Sequence, residues 1–240
     1  MFFQPSHLRA LPSLIAGLLL SAAVLTATVP GLCNTGLSNG SGLCTGPVVV
    51  ADTGTTNDAN WEIAVPSPSA SSTAAVVNPC AQVSAACGAK LTYKPAWVDL
   101  PNSAWLANDN VSEWITPQVE NNLGGQYVYS ITFQVPTTAN FVTIKGQLLS
   151  DNEVWGIYLS SGSYECIPLA GLLFDNAAVN SPSDFVVWKN FKFTKVPVKA
   201  GATATLYFLV RNRGVGGIDS NPTDTGLRVE FDQTISVFLP

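Results

Sequence analysis

Two apolar runs meet at a polar corner in FVTIKGQLLSDNEVWGIYL, residues 141–159, and no other stretch restricts the fold of the chain as strongly. Val142, Ile144 and Leu148 share one face of the first run, with Gly146 between them, and Trp155, Ile157 and Leu159 share one face of the second. Alternation with period two belongs to half-buried strands. Ser150-Asp151-Asn152-Glu153 is the corner that joins them. A single hairpin with an apolar face is marginal in water, so the pair must pack on further strands. This pattern predicts that Trp155 is a core residue beside Ile157 and Leu159.

The partners are visible along the rest of the chain. Every odd position from Tyr127 to Val135 is apolar or aromatic, and Trp61, Ile63 and Val65 alternate in the same way. Ala204, Leu206, Phe208 and Val210 form another such face. In GLRVEF, residues 226–231, the alternation places Leu227, Val229 and Phe231 inward and Arg228 and Glu230 outward, with Arg228 paired to an acidic neighbour on the sheet. Charged residues make up only 11% of the chain, which suits short strands joined by Gly-, Pro- and Asn-rich turns. With neither a long helical pattern nor a βαβ alternation, the prediction is all-β: a two-sheet antiparallel β-sandwich forming one domain over residues 28–240.

Residues 1–27 read as a secretory signal peptide, with an apolar stretch from Leu14 to Leu25 and small residues suited to cleavage near Ala23 or Ala27. The mature protein is therefore expected to be secreted, extracellular or periplasmic, without membrane insertion. Removal of Arg9 leaves ten basic residues against sixteen acidic, a charge of −6, which gives no reason to expect nucleic acid or an anionic membrane as partner. Five cysteines in an exported chain imply at least one disulfide. Cys33 with Cys44 and Cys80 with Cys87 are the expected pairs, each closing a short loop; Cys166 is then left over, read as a buried free thiol ahead of an intermolecular link or a reactive group.

His7 is the only histidine and leaves with the signal, so Ser-His-Asp, Cys-His and histidine-ligated metal sites are excluded from the mature chain. Asp151 and Glu153 could serve as a glycosidase pair, but carboxylates at a strand corner are more often turn formers. Asp151, Asn152 and Glu153, or Asp109 with Asn110, offer oxygen ligands to a structural calcium, although no D-x-D-x-D loop is present; no cofactor is expected otherwise. A sugar-binding surface sets an aromatic ring beside Asp, Asn or Arg. Trp105 with Asp109 and Asn110, Asp151 with Asn152, and Arg211 beside Asn212 have that composition. Trp114, next to Ile115, is read as packed, whereas Trp105 sits in a Pro- and Asn-rich crossing that leaves its environment open.

Four stretches carry a family resemblance. They are Asn34-Thr35-Gly36; Ser112-Glu-Trp114-Ile-Thr-Pro117 with Tyr127-Val-Tyr129 and Phe133; Gly146 with Ser150-Asp151-Asn152; and Gly201 leading through Leu206–Asn212 to Asn221-Pro222 and Gly226–Glu230. Together they resemble exported bacterial β-sandwich proteins of the PEP-CTERM-associated type, and the galactose-binding-like jelly rolls that include sugar-binding domains of some glycoside hydrolases. The resemblance covers most of residues 31–240. It implies a jelly roll and a carbohydrate-binding or accessory role. The chain ends at Ser236-Val-Phe-Leu-Pro240 without a Pro-Glu-Pro motif, so sorting of that kind is not expected. The expected function is a secreted, non-catalytic module that binds carbohydrate or extracellular polysaccharide. The alternative is a structural or adhesive surface protein that self-associates, and a carboxylate-based glycoside hydrolase ranks below both.

Overall fold

The computed structural model describes residues 24–27, 31–36, 48–49, 56–64, 91–99, 103–117, 122–162, 164–171, 185–213, 223–232 and 235–238. Thirteen strands occupy them: β1 (Val24–Ala27), β2 (Val48–Val49), β3 (Thr56–Ala64), β4 (Lys94–Val98), β5 (Ile115–Thr116), β6 (Gly125–Gln134), β7 (Phe141–Asp151), β8 (Glu153–Ser161), β9 (Tyr164–Gly171), β10 (Lys189–Pro197), β11 (Thr203–Asn212), β12 (Gly226–Phe231) and β13 (Ile235–Phe238). No helix occurs among the described residues.

Every pairing is antiparallel, as the alternation predicts. The strands form one continuous sheet instead of two hydrogen-bonded sheets. It runs from β10 through β7, β12, β5, β4, β3, β6, β11 and β8 to β9. The sheet winds nearly closed, so that β9 and β10 come close across a seam lined by Ile167, Leu169, Phe193 and Val196. The short strands β4 and β5 join the half built on β7 to the half built on β11.

The interior is filled from both halves. Val142, Ile144 and Leu148 meet Tyr129, Ile131, Phe133, Leu206 and Phe208. Trp61 lies at the centre, 5.5 Å from the Phe208 ring and 6.2 Å from Phe231. Its indole N–H donates to the Cys33 carbonyl at 3.0 Å, so the largest core side chain leaves no polar atom unpaired. Asp58 accepts hydrogen bonds from the backbone N–H groups of Gly36, Asn60 and Trp61 and fastens residues 31–36 to β3.

Trp155 departs from the prediction. The pairing of β11 with β8 shifts register between Leu209 and Val210, which face Gly156 and Val154. A residue inserted by a bulge inverts the alternation beyond it. Val154 therefore enters the core, and Trp155 packs on the outer face with Val128, Tyr207 and Leu209. Cys33 is disulfide-bonded. Cys44, Cys80 and Cys87 lie outside the described residues, as does the side chain of Cys166, and so do most of residues 1–27, His7 included. No described helix is long and apolar enough to cross a membrane, which says nothing of strands.

β1 falls inside the expected signal and pairs in full with β13, Val24 facing Phe238 and Ala27 facing Ile235. Cleavage after Ala23 keeps this strand; cleavage after Ala27 removes it. A chain starting at Val24 is expected to melt above one starting at Thr28, by about 2–4 °C for each kcal/mol of pairing, and calorimetry of the two checks this. A Cβ on Gly146 would collide with the Glu230 carbonyl oxygen and lie 2.7 Å from the Phe191 ring. Gly146→Ala should destabilise the fold by about 1–3 kcal/mol through this overpacking, read by denaturant unfolding.

Candidate functional site

The outward side chains of β10, β7 and β12 fall into three cross-strand rows. Leu149 and Arg228 are paired, with Trp188 beside them at the start of β10. Asn190, Gln147 and Glu230 form the second row, and Lys192, Lys145 and Asp232 the third. The first row is roofed by residues 103–114. The second and third are open and floor a hollow of about 440 Å³, walled by Asn34 and Val111. That volume lies within the range of small-ligand sites.

The roof is held by two anchors. Trp105 and Trp114 pack together over Leu149 with ring centres 4.3 Å apart and planes tilted by 36°, and both are buried, at 7% and 0% exposure. The Trp105 indole N–H donates to Asp151 Oδ2 at 2.8 Å, and the Trp114 indole N–H to the Leu106 carbonyl at 2.8 Å. Gly226 lets the pair settle, since a Cβ there would be 2.9 Å from Trp105. The second anchor is Arg228, fully buried under the loop. It is ion-paired to Asp109 at 2.7 Å and Glu230 at 3.6 Å, donates to Ser112 Oγ and the Ala107 carbonyl, and lies 5.0 Å from the Trp188 ring. Glu230 is held in turn: Ser112 Oγ–H donates to Oε1 at 2.7 Å and Gln147 Nε2 to Oε2 at 2.6 Å. A polar chain thus runs from the roof through Arg228 to the floor of the hollow.

Residues 31–36 form the near wall. Asn34 Oδ1 accepts the Phe231 N–H at 2.8 Å, and its Nδ2 donates to the Val111 carbonyl at 3.1 Å. Thr35 exchanges backbone and hydroxyl bonds with Val229, and the Glu113 N–H donates to the Thr35 carbonyl. The Asn34-Thr35-Gly36 stretch therefore acts by covering the edge of β12 and joining it to the roof.

Most of the residues singled out from sequence serve this roof and do not face the hollow. Trp105 is a buried anchor, so it offers no exposed ring. Asp109 Oδ1 accepts the Val111 and Ser112 N–H groups, and Oδ2 takes Arg228. Partial burial works against its ionisation, but those N–H groups and the guanidinium hold its carboxyl below the usual carboxylate range. Asn110 is exposed in the same turn. Asp151 is the last residue of β7, about 13 Å along the strand from Gln147, and Asn152 follows it. Asn152 Nδ2 donates to Asp151 Oδ1, and Asn152 Oδ1 accepts the Arg213 N–H. Arg211 lies over Trp155, 4.6 Å from its ring, in the half of the sheet built on β11.

The same contacts bear on metal and acid–base chemistry. Glu153 is paired with Arg213 and accepts the Trp155 indole N–H at 2.8 Å, while Asp151 is committed to Trp105 and Asn152. The corner carboxylates therefore hold structure together. Among the described residues, no group of three or more His, Cys, Asp or Glu side chains is placed to hold a metal ion. The sequence reading missed Gln147, Asn190, Lys145, Lys192 and Glu230 as a group. Alternation identifies each as outward-facing, but only the register sets them side by side.

Burial raises the Asp151 carboxyl from 3.8 to about 6, aided by the nearby Asp224 and opposed by the Trp105 N–H. The folded value is above the unfolded one, so this contribution to stability is complete below about 3.8 and is lost as pH rises to about 6. The two-unit difference corresponds to roughly 3 kcal/mol. Denaturant unfolding from pH 3.5 to 7 should show this loss, and Asp151→Asn should flatten that part of the profile.

No family model matches the sequence, and no curated protein matches it. Among solved structures, the chain is similar to TmCBM61 in complex with β-1,4-galactotriose at 14% identity, covering 60% of this chain and 82% of that one, with a TM-score of 0.30. A family 35 carbohydrate-binding module from an environmental isolate is matched at 13% identity, covering 60% and 88%, with a TM-score of 0.26. At these scores neither a fold nor a ligand carries over to this chain.

Proposed function

We propose that the protein is a secreted, non-catalytic module that binds polysaccharide in the hollow over β10, β7 and β12. The observation that carries this reading is the row Asn190, Gln147 and Glu230: amide and carboxylate groups in register on three neighbouring strands, in an open hollow of about 440 Å³. Side chains of this kind exchange hydrogen bonds with hydroxyls, and Glu230 is held in place before any ligand arrives. The wound sheet is read as a variant of the two-layer jelly roll, because the halves built on β7 and β11 share one core.

The non-catalytic part of the reading rests on the engagement of Asp151 and Glu153. A carboxylate-based glycoside hydrolase acting through this pair needs both carboxyl groups free to flank a cleft, whereas these two are tied to Trp105, Asn152, Arg213 and Trp155. An open, polar hollow suits affinities of about 1 µM to 1 mM.

The test is retention on a panel of soluble and insoluble polysaccharides, beside a Gln147→Ala/Asn190→Ala variant whose folding is checked by its melting temperature. Retention on at least one glycan, weakened tenfold or more in the folded variant, is expected. Equal retention by the variant would move the site elsewhere. No retention by the folded wild-type protein would overturn the reading and favour self-association, which sedimentation over a concentration series would then reveal.

A further inference from the structure

We infer that the hollow is built for a sugar residue carrying a negative charge, a carboxylate or a sulfate ester, which seats between Lys145 and Lys192; this rests on the reading of the hollow as a polysaccharide site. Lys192 and Lys145 are direct partners across β10 and β7, and both line the hollow. Like charges directly opposite each other on neighbouring strands are unfavourable. In a chain with only 11% charged residues and seven lysines, that placement is conspicuous.

The neighbouring acids do not remove the repulsion. Glu230 is committed to Ser112, Gln147 and Arg228. Asp232 reaches Lys145 at 3.6 Å, but both side chains are well exposed, at 59% and 37%, so the pair is loose and readily exchanged for another anion. Lys192 is exposed. Lysines on edge strands also discourage strand addition, yet Lys192 lines the hollow on the face of β10, next to Lys145.

The spacing fits one sugar residue. Successive rows on one face of a sheet are about 6.6 Å apart, twice the rise per residue. An anionic group held in the lysine row therefore leaves hydroxyls of the same ring within reach of Asn190, Gln147 and Glu230. The acidic overall charge of −5 disfavours longer-range attraction of polyanions such as nucleic acid, so recognition requires this local geometry.

The experiment measures affinity of the purified protein for polygalacturonate and for its methyl-esterified, neutral counterpart. A sulfated and a desulfated galactan provide the second pair, and each pair is measured at low and high salt. Lys192→Gln and Lys145→Gln change exposed side chains and are compared with the Gln147→Ala/Asn190→Ala variant. The expected result is at least tenfold tighter binding of one charged glycan than of its neutral form. That preference should be weakened by salt and reduced about tenfold by Lys192→Gln. The pair that shows it identifies carboxylate or sulfate. Equal affinity for charged and neutral forms, unaffected by the lysine variants, would overturn the inference and leave the sugar site standing. Charged-glycan binding that survives both the lysine and the Gln147/Asn190 variants would also overturn it. Absence of binding to any glycan by the folded protein would overturn the site itself.

Discussion

A fully buried guanidinium organises the half of this protein built on β7, β10 and β12. Arg228 is outward on β12, where an arginine would ordinarily extend into water, yet it has no exposed surface. A buried charge is tolerated only when its donors are satisfied and its charge is met. Asp109, Glu230, Ser112 and the Ala107 carbonyl do this, and Trp188 adds its ring face. These partners come from the roof, from β12 and from the start of β10. Satisfying one cation therefore folds the roof onto the sheet and aligns Glu230 at the edge of the hollow.

The tryptophan pair performs the complementary apolar task. Trp105 and Trp114 cover Leu149, which would otherwise be an exposed leucine on the outer face of β7. Their indole N–H groups end on Asp151 and on the Leu106 carbonyl, so their burial leaves no donor unpaired. The roof stops at Val111, which is 46% exposed, and the hollow begins there. Open hollow and roof are thus two parts of one sheet face, separated by how far residues 103–114 reach across it.

Much of the architecture was legible in the alternation. Tyr127, Tyr129, Ile131, Phe133 and Val135 all enter the core, as do Val142, Ile144 and Leu148. Trp155 shows where the rule fails: the bulge opposite Leu209 and Val210 inserts one residue, and the next side chain changes face. Composition was a weaker guide to side-chain environment. Aromatic and Asx residues adjacent in sequence at 105–110 look like a sugar platform, but the rings were needed to cover Leu149 and the Asp109 carboxylate to meet Arg228.

The sequence by itself determined the long strands, the all-β class and most of the residues that fill the core, because side-chain direction in an unbroken strand depends only on parity and so is local. It also excluded histidine chemistry from any chain lacking its first residues, through the single His7. Only the tertiary structure decided which outward residues are roofed and which are open. Gln147 and Glu230 are 83 residues apart and meet at 2.6 Å because β7 and β12 pair in one register. That register results from the packing of the whole sheet and from the partners that Arg228 requires, neither of which is encoded in any short stretch of chain.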